Sequence, residues 1–219
     1  MLFALAFLFA TARPVPYHVQ LEANPAAPFP FLSKFGTVTL HVYPAGVRAE
    51  TVWLNAFSRL GTTHVTVENP LGRMYTDVPI AEITSLLRKM SNDQQLQDAA
   101  PAPIEAPVSG NVAGIRARRY RIAYGPEGWI DVWTTDVVPE NRQLRSIVEA
   151  FVRGIAPATA SSIQSITGMP VYVELNFRRY KKLPLLQLKT IAFSNVGQEK
   201  ALSTGRLYIK APMLDAVWK

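Results

Sequence analysis

Alternation with a period of two residues recurs along this chain, and each alternating stretch leads through turn residues into another. Successive side chains of a strand point to opposite faces, so the pattern implies one buried and one solvated face. Val38, Leu40 and Val42 alternate with Thr37, Thr39, His41 and Tyr43; Pro44-Ala45-Gly46 turns the chain, and 47–54 returns as a hairpin partner. His64 to Glu68 and Arg73 to Thr76 flank Asn69-Pro70-Leu71-Gly72. Ile115 to Tyr124 and Trp129 to Thr135 flank Gly125-Pro126-Glu127-Gly128, residues suited to sharp reversals. Val171, Val173, Leu175 and Phe177 alternate with Tyr172, Glu174 and Asn176, and further strands are expected at 185–193 and 206–210. About nine strands in sequential hairpins predict an antiparallel sheet.

Helical spacing appears at three places. Ile80, Ile83, Leu87 and Met90 follow Asp77 and Pro79, which predicts a helix over 78–90. Leu144, Ile147, Val148, Phe151 and Val152 form an apolar stripe between Pro139 and Gly154, and a shorter piece is expected at 158–167. Such stripes must pack on the sheet, so the fold class is α+β, an antiparallel sheet with two or three helices on one face.

A length of 219 residues suits one domain. Pro14, Pro16, Pro25, Pro28 and Pro30 make 13–36 an extended Pro-rich lead-in, which leaves 37–219 as the domain. The polar, then Ala/Pro-rich stretch 91–110 is expected to be a surface loop. Met1 to Ala10 is uninterruptedly apolar, and Ala10 and Ala12 form a small-residue step, so 1–12 is expected to be a signal peptide cleaved before Arg13. Ten apolar residues are too few to cross a hydrocarbon layer of roughly 30 Å. The protein is accordingly expected in the periplasm or secreted.

The residues for common chemistries are missing or unframed. There is no cysteine, which removes disulfides, thiolate catalysis and iron–sulfur clusters together. His18, His41 and His64 have no metal-ligand spacing; His41 and His64 lie on separate predicted strands that could bring them together, but no carboxylate is placed beside them. No serine stands in a nucleophile elbow, and no glycine-rich phosphate cradle occurs. No cofactor and no metal are expected, and the chain reads as non-enzymatic. Its formal net charge of +7 favours anionic partners. Arg116, Arg118, Arg119 and Arg121 form one basic run, whose arginines can pair with acids on neighbouring strands. Arg178, Arg179, Lys181 and Lys182, beside Tyr180 at an expected strand end, form another that could meet an anionic membrane surface. Nucleic acid is not expected, because no basic–aromatic binding motif accompanies the charge.

VAGIRARRYRI at 112–122, WIDVWTTDVVP at 129–139 and TGMPVYVEL at 167–175, with GVRAE at 46–50, resemble an exported bacterial family of unknown function. That family's fold is similar to the outer-membrane lipoprotein carriers LolA and LolB. The resemblance implies a curved half-barrel of antiparallel strands whose concave face is covered by helices and can hold acyl chains. On that reading Val38, Leu40, Val42, Val171, Val173, Leu175 and Phe177 line a site for a lipid or other hydrophobic ligand. The alternative is a protein-interaction or structural module of the periplasm, in which the same residues form a solid core.

Protein exported by a bacterial host is expected to begin at Arg13 or within the Pro-rich stretch after it. Intact-mass spectrometry checks this, and recovery of Met1 in a soluble cytoplasmic fraction would contradict export.

Overall fold

The computed structural model describes residues 15–24, 36–91, 102–124, 128–178, 182–194 and 196–212. Its first meander comprises β1 (His18–Ala23), β2 (Val38–Tyr43), β3 (Gly46–Glu50), β4 (Asn55–Arg59), β5 (His64–Asn69) and β6 (Met74–Pro79). Helix α1 (Ile80–Ser91) follows. The second meander comprises β7 (Val108–Val112), β8 (Ile115–Tyr124), β9 (Gly128–Thr135), β10 (Met169–Phe177) and β11 (Leu183–Ala192), with α2 (Arg142–Ile155) and α3 (Pro157–Ile163) between β9 and β10. A short α4 (Gln198–Ala201) and β12 (Ile209–Lys210) end the described chain.

All twelve strands belong to one open sheet in the order β12-β6-β5-β4-β3-β2-β1-β11-β10-β9-β8-β7. Every neighbouring pair is antiparallel except β12 with β6, which is parallel. The predicted antiparallel sheet with helices is therefore present, and it is wider than the sequence suggested.

Three strands lie where none was expected. β1 falls inside the Pro-rich lead-in, so the sheet begins before Thr37; its His18–Ala23 run contains no proline and keeps every backbone donor. β4 arises because the strand expected over 47–54 stops at Glu50. Thr51 closes a turn there, its N–H donating to the Leu54 carbonyl at 2.9 Å and its Oγ1 accepting from the Leu54 N–H at 2.9 Å. β7 takes up the end of the predicted 91–110 loop, and Ile104 bridges to Ile122. Helix α1 starts two residues later than expected. Val78 and Pro79 still pair with Val65 and His64, and the Ile80 N–H donates to the Thr63 carbonyl.

The main core joins both meanders to α2. Val19 and Leu21 of β1, Val42, Val47, Met169 and Val171 are buried together with Leu144 of α2. A second cluster sets Tyr120, Ile122 and Val132 against Ile163 and Ile166 around the end of α3. Helices α1 and α2 meet closely at Gly154, where an added Cβ would lie 2.9 Å from the Leu87 Cβ. The Thr84 hydroxyl ties the pair by donating to the Ala150 carbonyl at 2.8 Å.

Asn141 anchors α2 to the sheet. Its Oδ1 accepts from the Leu144 N–H at 2.9 Å as an N-cap, and its Nδ2 donates to the Tyr43 carbonyl at 2.6 Å. Asn141→Ala removes the cap and leaves a buried carbonyl unpaired. The expected loss is about 2–3 kcal/mol, read from the midpoint of urea unfolding.

Candidate functional site

Register decides which residues share the helix side of the sheet. Val19 pairs with Val42, and Val42 with Val47; Leu21 pairs with Leu40, and Leu40 with Ala49. Across the centre, Val19 lies opposite Ile191, Leu21 opposite Leu188, and Val173 opposite Leu186. Of the residues expected to line a hydrophobic site, Val42 and Val171 have no solvent exposure and Leu175 is almost as buried. Leu40 packs on the edge of the main core and Val173 on that of the second cluster; Val38 is half-buried and pairs with Ala23. Phe177 stands apart at the strand end, edge-on to Tyr124 and over Gly128.

The same face is not closed everywhere. β11 occupies the middle of the sheet, yet Leu186, Leu188 and Ile191, which pack on the edge of the main core, are only half-buried. On α2, Ile147, Val148, Phe151 and Val152 are half-buried as well. Side chains of β11 and of α2 that pack on the main core, Leu186, Leu188, Ile191 and Val148, thus keep part of their apolar surface open.

The opposite face is polar and internally paired. Arg121 of β8 donates to Asp131 of β9 through Nε at 2.8 Å and Nη2 at 2.9 Å, and its guanidinium stacks on Trp129. Asp131 lies opposite Glu174 of β10, and the buried Asn176 Nδ2 reaches Glu174 at 3.3 Å and Asp131 at 3.5 Å. Tyr172 donates to Glu174 at 3.0 Å; burial and that carboxylate push its hydroxyl up to about 12. The expected pairing of the first basic run occurs here and at Arg118, which clasps Asp136 with 2.8 and 2.7 Å contacts. Of the second run, Arg178 and Lys182 are exposed, and Lys182 lies 3.4 Å from Glu174; Arg179 and Lys181 lie outside the described residues.

Further along this face, His18 Nε2 and His41 Nδ1 share a 2.9 Å hydrogen bond, and Tyr43 stacks on His18. Burial, then the neighbouring His41, lower the His18 pKa. His41 and His64 are not brought together, because β3 and β4 separate their strands. His41 instead lies 3.7 Å from Glu50, which Arg48 holds at 2.7 Å. Arg48 also approaches Glu68 at 3.5 Å and donates to the Ala201 carbonyl, while Arg59 donates to the Leu202 carbonyl. The segment around α4 therefore lies across the polar face of β3 and β4. Leu202 fills a small cluster there with Tyr43 and Phe57.

These contacts pair most of the buried polar groups of this face, while Glu68 Oε1 and Trp129 Nε1 are left without a hydrogen-bond partner. Asp131 already accepts two arginine hydrogens, and Glu174 accepts from a tyrosine and an amide. Among the described residues no three His, Asp or Glu side chains gather as metal ligands, and no helix is long and apolar enough to cross a membrane. The network was missed in the sequence because each strand supplies only one or two of its members. Its signal was there in the alternate positions 119 and 121, 129 and 131, and 172, 174 and 176, and only the register aligns them.

No protein-family model and no curated protein matches the chain. Among solved structures it is similar to the crystal structure of an uncharacterized conserved protein from Thermus thermophilus, with 9% identity and a TM-score of 0.44 over 90% of this chain and 91% of that one.

Glu68 is buried with Oε1 unpartnered, and burial raises its pKa against the opposing pull of Arg48. A raised carboxylate pKa costs stability when ionised, and protonation of the folded protein relieves the cost. The native protein should therefore gain stability relative to Glu68→Gln as the pH falls from neutral to about 4. Paired urea titrations across that range read the difference.

Proposed function

We propose that this chain is a non-enzymatic binding protein of the bacterial cell envelope that holds a lipid acyl chain between α2 and the apolar face of its sheet. The observation that carries the reading is that apolar side chains of β11, in the middle of the sheet, and of α2 are only half-buried where they pack on the edge of the main core. Leu186, Leu188 and Ile191 of that strand lie against the core and keep part of their apolar surface in water. An apolar ligand entering there removes that surface from solvent at roughly 25 cal/mol per Å².

Sheet width supports the same architecture. Twelve strands at about 4.8 Å spacing span roughly 53 Å, whereas three helices about 10 Å apart cover roughly 30 Å. Three helices line so wide a sheet only where it curls around them, as open sheets beyond about ten strands do. In this reading the sheet is a half-barrel with the helices on its concave side. The apolar N-terminus with its Ala10 and Ala12 step supports the envelope location.

The full burial of Val42 and Val171 favours a second reading, in which the core is solid and the protein is an interaction or structural module. Val173→Phe separates the two. Val173 is half-buried between Val132 and Leu186. In a ligand cleft the added ring finds room, so the thermal midpoint stays near native while uptake of a fluorescent fatty acid falls. In a close-packed core overpacking costs about 1–3 kcal/mol, and native protein takes up no fatty acid.

A further inference from the structure

The antiparallel path sends every second turn to the same end of the sheet. Ala23 pairs with Val38, Thr39 with Glu50, Glu50 with Asn55, and Asn69 with Met74, so the β3–β4 and β5–β6 turns lie together. Leu186 opposite Ala23, and Leu183 opposite Leu175, bring the β10–β11 turn to that end. The turn at 205–208 joins them, because β12 starts parallel to β6, with the Ile209 N–H donating to the Arg73 carbonyl at 2.9 Å.

This end carries side chains that turns normally avoid. Val52 and Trp53 occupy the two central positions of the β3–β4 turn at 78% and 59% exposure. Leu71 at the next turn is 78% exposed, and Leu207 is 72% exposed. Turn tips ordinarily hold Gly, Asn, Asp, Ser or Pro. Here the polar residues sit beneath the tips and build them: Thr51 Oγ1 accepts from the Trp53 and Leu54 N–H groups, and Asn69 Oδ1 accepts from those of Leu71 and Gly72. The apolar side chains are thus held outward by ordered turns.

Charge follows the same geometry. The turn residues 51–54, 70–73, 178, 182 and 205–208 include no acid, while Arg73, Arg178, Lys182 and Arg206 are basic; the one acid in the sequence between Tyr124 and Gly128, whose pairing falls at this same end, is Glu127. Of the carboxylates near this end, Glu50 is engaged by Arg48 and Glu174 lies 3.4 Å from Lys182. Apolar tips ringed by cations match the boundary between anionic head groups and acyl chains, where tryptophan is at home and arginine reaches phosphate. The tips belong to separate turns, two strand spacings or about 10 Å apart for the first two, which suits a broad surface better than a pocket.

We propose that this end is a docking surface for an anionic lipid bilayer, with Trp53, Leu71 and Leu207 entering the interface and the surrounding Arg and Lys side chains meeting phosphate. It does not require that the cleft beside β11 hold a lipid.

The test uses the full chain and phosphatidylcholine vesicles containing about 30 mol% phosphatidylglycerol. Native protein should sediment with these vesicles, less so as salt rises, and its tryptophan emission should move to shorter wavelength. Trp53→Ser combined with Leu71→Ser and Leu207→Ser should weaken vesicle affinity about tenfold or more and leave the thermal midpoint unchanged, because all three side chains are solvated in the free protein. Arg73→Gln with Arg206→Gln should weaken binding and flatten its salt dependence. Native protein that stays in the supernatant, or a triple variant that binds as well as native, overturns the proposal. A dimer in velocity sedimentation that the triple variant abolishes, without vesicle binding, makes this end a contact between copies and overturns it equally. Fatty-acid uptake measured without vesicles reads the cleft alone, so the two proposals fail separately.

Discussion

The structure depends on β1 being claimed along both of its edges. His18 to Ala23 pair with β11 on one side, and Val19 to Ala23 pair with β2 on the other. β2 follows next in the chain, but β11 comes from near its far end, so this one strand converts two separate meanders into a single sheet. Its inward residues Val19 and Leu21 have no solvent exposure and sit among Val42, Val47, Val171 and Leu144. Loss of β1 would open the backbone of two central strands and remove the floor on which α2 rests. Opposite Gln20 and Leu21 the extra residue, Lys189, lies in β11, so the register to β11 shifts there while the register of β1 to β2 runs unbroken.

With the sheet joined, its two faces take different solutions to burial. The helix side is apolar and shares its core with α2 and α3. The other side has α4 laid across it, and it buries polar groups by pairing them: Arg121 with Asp131, Asn176 with Glu174, Arg48 with Glu50. Such pairs are tolerated in low dielectric only when their hydrogen-bonding capacity is met. Where strand side chains leave capacity over, the C-terminal segment supplies it, through the Ala201 and Leu202 carbonyls and the Lys210 ammonium, which meets Asp77 at 2.7 Å. That segment then ends as β12 against the outer edge of β6, which covers an edge otherwise available for pairing.

How far the sequence could be read follows from these two solutions. Strands β2, β8, β9 and β10 alternate cleanly and were legible, as was the stripe of α2. β1 was hidden because only Val19 and Leu21 mark its buried face and prolines flank it closely. β4 was hidden because its one large apolar residue, Phe57, points away from the helices and packs on Leu202, so its alternation reads inverted. β7 shows no apolar period, since its residues are mostly exposed at the sheet edge. The polar network needed the register as well as the residues. Of the end-of-sheet apolar tips, Leu71 already fell in a predicted turn, but Trp53 looks like a strand position until the turn that holds it is known.

The β10–β11 hairpin belongs to both proposed sites, and its position limits how they could cooperate. Lys182 stands at the basic end of the sheet, and the next residue, Leu183, begins the strand whose apolar side chains remain half-open. From Leu183 to Leu188 the strand rises about 17 Å away from that end. A bilayer held against the Trp53 and Leu71 turns would therefore lie beside the mouth of the surface between β11 and α2, not across the sheet from it. An acyl chain moving from membrane to protein along β11 would pass from one apolar environment to another with little intervening water. Lys182 also lies 3.4 Å from Glu174, so the same turn reaches the buried polar network on the opposite face. The hairpin thus adjoins the basic end of the sheet, the half-buried side chains of β11 and the polar layer at once.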